Sequence, residues 1–213
     1  MKNGNIDNIF IYWIYFVSII LISIYILESF DFISGLFRED ISYISSIIVS
    51  IFTFYLFRGG YHLYKLRYAI NSLIQENSSS NNNIFIEILD EYRSSLSNTS
   101  NNKSFQEQLK SRLYEIVDNG FFVADILLKL GIVGTVIGFI IMLSSLSTID
   151  EMNLSKMNNL LLSMSSGMKV ALYTTLSGLI CSILLTIQNN YFENKINNFI
   201  SKIISSDDNE KKD

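Results

Sequence analysis

LGIVGTVIGFIIMLSSLSTI, residues 130–149, contains no Asp, Glu, Lys, Arg or His. At about 1.5 Å of rise per helical residue it reaches across a bilayer core of roughly 30 Å. Working outward from it, residues 170–192 share the property on the C-terminal side, and residues 8–27 and 41–57 share it on the N-terminal side. In chain order the four stretches are 20, 17, 20 and 23 residues long, and the second is only just sufficient to span. With 49% hydrophobic and 17% charged residues among 213, and a mean hydropathy of +0.30, an ordinary soluble globule is excluded. The pattern predicts an all-α integral membrane protein with four transmembrane helices and cytoplasmic helical extensions. Proline is absent, so the spans are expected to be continuous.

The composition also bounds the chemistry. A net charge of −4 gives no general case for nucleic-acid binding, which needs a basic excess. One cysteine, Cys181, and one histidine, His62, build neither a disulfide framework nor a histidine and cysteine metal cage from one chain. No nucleophile and base pair, metal cluster or phosphate loop is visible, so no enzyme, cofactor or catalytic residue is expected.

The first apolar run follows Met1 and Lys2 and ends at Glu28-Ser29-Phe30-Asp31 without a small-residue cleavage pattern. It reads as a retained helix. Orientation follows from the basic residues: placing the N-terminus, residues 58–129 and the tail after 192 on one side puts 13 of the 16 there. The loop from Glu28 to Asp40 has four acids and one base, while Arg58, Lys65 and Arg67 crowd the end of the second span. By the positive-inside rule both termini are cytoplasmic in a multi-pass arrangement. The expected organisation is a two-span hairpin at 1–57, a cytoplasmic helical insert at 58–120, a two-span region at 121–192 and a short charged cytoplasmic tail at 193–213. Within the insert, Asn- and Ser-rich tracts at 76–83 and 97–103 bracket a segment with Ile84, Ile88, Tyr92 and Leu96 at helical spacing. Residues 58–73 and 105–119 read as helical continuations of the spans.

Two segments stand out in the last two spans. In Leu130-Gly131-Ile132-Val133-Gly134-Thr135-Val136-Ile137-Gly138, the glycines at 134 and 138 make a seam where another helix approaches closely, with Gly131 a turn earlier on nearly the same face. Self-association is expected to run through this face. In Ala171-Leu172-Tyr173-Thr174-Thr175-Leu176-Ser177-Gly178-Leu179, Ala171, Thr174 or Thr175, Gly178 and Ser182 form a stripe of small and hydroxylated groups. The hydroxyls of Thr135, Thr174, Thr175 and Ser177 either hydrogen-bond their own helix or offer polar groups to a channel.

Leu130 to Gly138 resembles the LGLLGTVxG segment, and Ala171 to Leu179 the ALxxTxxGL segment, of the MotA/TolQ/ExbB proton-channel proteins. The resemblance covers roughly residues 121–192. It implies a ring of subunits, usually a pentamer, around the spanning helices of a single-span MotB/TolR/ExbD-like partner whose transmembrane aspartate carries protons. Ion flow would then drive mechanical work on a periplasmic or cell-wall partner. The resemblance further implies that Thr135 and Thr175 line the channel, with Thr174 and Ser177 as further candidates, and that Gly131, Gly134, Gly138, Ala171 and Gly178 pack helices. The chain departs from the family pattern at Val170, where many members have glutamate, and at Leu128 and Leu184, which replace prolines.

The four apolar cores contain no ionisable side chain except Cys181 and tyrosines, so a titrating acid has to come from a partner. Asp125 and Lys129 lie one helical turn apart at the inner boundary of the third span. They are either a snorkelling ion pair or part of a cytoplasmic ion exit. Two functions follow: the ion-channel subunit of a motor, and a non-conducting oligomeric membrane scaffold that retained the packing glycines.

Overall fold

The structure is a computed structural model and describes residues 8–29, 34, 42–75, 86, 102–144 and 154–210. Among these residues the fold is all-helical: α1 (Asn8–Ser29), α2 (Ile44–Gln75), α3 (Asn102–Ser144) and α4 (Leu154–Glu210). The four are 22, 32, 43 and 57 residues long. Three contain stretches long and apolar enough to cross a membrane: Ile44–Tyr68, Lys110–Ser144 and Leu160–Ser201. The apolar stretch of α1, Ile11–Ile26, is shorter. Most of the expected amphipathic segment around Ile84–Leu96 and most of the acidic loop from Glu28 to Asp40 lie outside the described residues.

α2 starts where Tyr43 adopts φ 57°, a left-handed conformation in which its Cβ crowds the backbone. Ser42 Oγ accepts the Ile44 N–H at 3.4 Å, and Tyr43 O accepts the first helical bond, from the Ile47 N–H at 3.1 Å. Proline is absent from α2, α3 and α4, and each helix continues past a charged boundary of its apolar stretch.

The chain divides into two compact units. The first comprises Met1–Val17, Leu56–Phe121 and Ile187–Asp213. Its core is a cluster of large apolar side chains at helical spacing: Leu63 and Leu66 of α2, Leu113 and Val117 of α3, and Phe192, Ile196, Phe199 and Ile200 of α4. The residues from 193 onward are thus the continuation of α4 as far as Glu210, with three of their side chains in this core. Glycines here seat large side chains. A Cβ on Gly60 would meet the Trp13 ring at 2.2 Å, one on Gly59 would meet Gln188 Nε2 at 1.9 Å, and one on Gly120 would meet Asn189 Oδ1 at 2.4 Å. Gln188 Nε2 donates to Leu56 O at 3.1 Å, which ties α4 to α2. Gln188 Oε1 and Asn189 Nδ2 are buried without a hydrogen-bond partner among the described residues. Tyr114 Oη donates to Asn197 Oδ1 and joins α3 to α4.

The second unit comprises Ser18–Tyr55 and Phe122–Thr186. It contains the paired segments of α3 and α4 that carry the two motifs, together with parts of α1 and α2. Its surface is greasy, with exposed Ile19, Leu21, Ile22, Phe54, Ile132, Phe139, Leu172 and Leu179 among others. Such a surface suits lipid or other apolar helices, since in water it would be a large exposed patch.

Candidate channel-lining site

The site is built on the antiparallel α3–α4 pair of the second unit. A Cβ on Gly131 would stand 3.2 Å from Gly178 Cα, and one on Gly138 would stand 2.6 Å from Ala171 N. One on Gly178 would reach Leu127 O at 2.8 Å. Gly134 holds the Thr174 side chain, whose Oγ1 would lie 2.3 Å from an added Cβ. The small residues therefore let two backbones of the same chain close together. The face expected to carry self-association is thereby occupied within the chain, so a contact between copies would have to use another surface. Spacing alone defines a close-approach face without saying which helix fills it.

Gly167 completes the seam and escaped the sequence reading. A Cβ there would lie 2.7 Å from Gly138 O and from Met142 N. It sits just before Lys169, outside the charge-free window, yet it continues the small-residue spacing four positions before Ala171.

The four candidate hydroxyls occupy different environments. Thr174 is fully buried in the seam and donates to Val170 O at 2.9 Å, with Ala171 O at 3.1 Å. Ser177 is buried and donates to Thr174 O at 2.9 Å. Thr175 is half-buried and donates to Ala171 O at 2.9 Å, with Gly131 O of α3 at 3.3 Å. Thr135 is half-buried and donates to Ile132 O at 2.5 Å.

Helical periodicity sorts them further. On α3, Leu128, Ile132, Thr135 and Phe139 form an outward stripe beside the glycines; on α4, Met168, Leu172, Thr175 and Leu179 form its counterpart. In an antiparallel pair, stripes offset in the same rotational sense from the contact line fall on one side. The reach of Thr175 Oγ1 toward Gly131 O agrees. Thr135 and Thr175 thus share one flank of the pair, in an otherwise apolar surface. Val170, Ser177 and Cys181 are buried on the opposite flank of α4. Asp125 continues the α3 stripe beyond Leu128, and its Oδ2 pairs with Lys129 Nζ at 2.5 Å, both side chains being more than half exposed.

Residues 78–204 match the model of the MotA/TolQ/ExbB proton channel family. The chain belongs to this family. The match covers more than half of the sequence and extends past the motif region on both sides, into the insert and along the C-terminal part of α4. No curated protein and no solved structure matches the chain significantly. As a member of a proton-channel family with three long apolar helices among its described residues, it is a membrane protein of channel type. Family membership also gives Val170 a physical setting. Its side chain is 0% exposed, so a carboxylate there would be buried in the packing of α4 and strongly disfavoured when charged.

Proposed function

We propose that this protein is the ring-forming subunit of a proton or cation channel motor, which couples ion flow to mechanical work through a partner. The partner is a single-span MotB/TolR/ExbD-like protein bearing the titrating aspartate. In this reading α1 crosses the membrane as a fourth span, both termini and residues 58–120 are cytoplasmic, and several copies, by family analogy five, surround the partner's helices in the inner membrane. The observation that carries the reading is the shared flank of Thr135 and Thr175: two half-exposed hydroxyls in an apolar surface beside a close-packed glycine seam. Such a wall can hold water or hydrogen-bond a protonating acid without titrating itself. Asp125, on the same α3 stripe, stands at the cytoplasmic mouth with Lys129.

A second reading, a non-conducting scaffold, is favoured by one observation: all four candidate hydroxyls already donate to backbone carbonyls. The two readings separate in a proton-flux assay on the full chain co-reconstituted with its partner. Thr135→Val and Thr175→Val keep side-chain shape while removing the hydroxyl. Channel function predicts normal assembly with partner-dependent flux reduced at least tenfold; unchanged flux in both variants supports a wall of packing residues. Thr174→Val reports on the seam instead, because its hydroxyl is enclosed there.

A further inference from the structure

Along α2, Phe54, Phe57, Tyr61, Tyr64 and Tyr68 alternate at intervals of three and four residues, and all five are exposed. They therefore form one aromatic stripe on one helix face. The stripe changes from Phe to Tyr at Arg58, the first charge after residue 40. Beyond that point α2 carries Arg58, Lys65 and Arg67 and no acid, within a chain whose net charge is −4. Lys65 Nζ lies 4.7 Å from the Tyr61 ring centroid, so its ammonium is held against the stripe.

Rings that are wholly apolar on one side of a charge boundary and hydroxylated on the other match the gradient from hydrocarbon to headgroup. Spacing along the helix agrees. Tyr43, 72% exposed, marks the N-terminal end of α2, and the rise from Tyr43 to Arg58 is about 23 Å and to Tyr61 about 27 Å, so the charge boundary falls near the far edge of a bilayer core of roughly 30 Å. The stripe is separate from the face of α2 that packs into the helical core, which carries the fully buried Leu63 and Leu66.

We propose that the Tyr61–Tyr68 face of α2, with Arg58 and Lys65, is a binding surface for anionic phospholipid, the tyrosine rings lying at headgroup level and the two cations holding the phosphate. This surface is distinct from the threonine flank and does not depend on ion conduction. The test uses the full-length chain extracted from vesicles of phosphatidylcholine mixed with phosphatidylglycerol, with retained lipid counted by native mass spectrometry. Phosphatidylglycerol should be enriched over phosphatidylcholine on the wild type. Arg58→Gln and Lys65→Gln should each cut that enrichment by about fivefold, in line with one basic side chain near an anionic surface. Lys65→Arg should restore it, showing that the loss follows charge rather than folding. Equal retention of the two lipids by the wild type, or enrichment unchanged in the Gln variants, would overturn the proposal. So would efficient disulfide cross-linking of Tyr64→Cys between two copies, which would make the stripe a protein interface.

Discussion

The two compact units use glycine in opposite ways. In the unit containing Leu63, Leu113 and Phe199, glycines at 59, 60 and 120 are sockets for Gln188, Trp13 and Asn189, around a core of large apolar side chains. In the unit containing the α3–α4 pair, glycines at 131, 138, 167 and 178 face the backbone of the opposing helix. The contrast follows from the surroundings each kind of packing suits. Water rewards burial of large apolar side chains, whereas lipid is as apolar as leucine, so helices in it associate through close backbone approach and interhelical hydrogen bonds. The first unit packs through large side chains, and the second through close backbone approach.

The largest effect expected from breaking this contrast is at Gly138. A bulky side chain there collides with Ala171 N and Gly167 O, which are backbone atoms with nowhere to go. Gly138→Leu should abolish the folded protein, seen as loss of the monodisperse peak in detergent gel filtration. Gly131→Ala should be mild by comparison, because its Cβ would meet neighbours at 3.2 Å and beyond. If Gly138→Leu behaved like Gly131→Ala, the seam would not be a backbone contact.

Next comes Phe199, 1% exposed in the large-side-chain core. Phe199→Ala should cost about 3–5 kcal/mol, read as a lowered midpoint of thermal unfolding. A change below about 1 kcal/mol would mean that this core does not hold the unit together. The smallest effect is expected at Gln188, which gains one hydrogen bond to Leu56 O and leaves Oε1 buried and unpaired. Gln188→Leu trades one for the other and should shift stability by no more than about 1 kcal/mol. A larger loss would assign the carboxamide a second partner.

Much of the architecture is legible in the sequence because long charge-free stretches are a strong physical signal: a charge in lipid is costly, so its absence over about 20 residues is informative. Helix ends were less legible. Lys169 and Glu193 close the charge-free window, yet α4 runs from Leu154 to Glu210, since a helix outlasts the membrane wherever another core receives it. Gly167 was hidden for this reason. The motif glycines announced a close approach but not its partner, since spacing does not distinguish a helix of the same chain from one of a neighbouring copy. The threonines were visible as residue types, while the division into Thr135 and Thr175 on one flank and Thr174 and Ser177 inside required knowing which face the seam uses. Gln188 and Asn189 passed unremarked because carboxamides carry no charge, although three adjacent carboxamides, Gln188-Asn189-Asn190, in an apolar run are unusual enough to find.

The central claim is that the Thr135 and Thr175 flank faces the partner's spanning helix. Photo-cross-linking tests it most directly, with a photoreactive amino acid placed at Thr135 or, about 160° further round α3, at Val133, which is 48% exposed. In membranes containing the partner, the probe at position 135 should capture the single-span protein and the probe at position 133 should not. Capture from position 133 alone, or from neither position in a complex that assembles, would contradict the account.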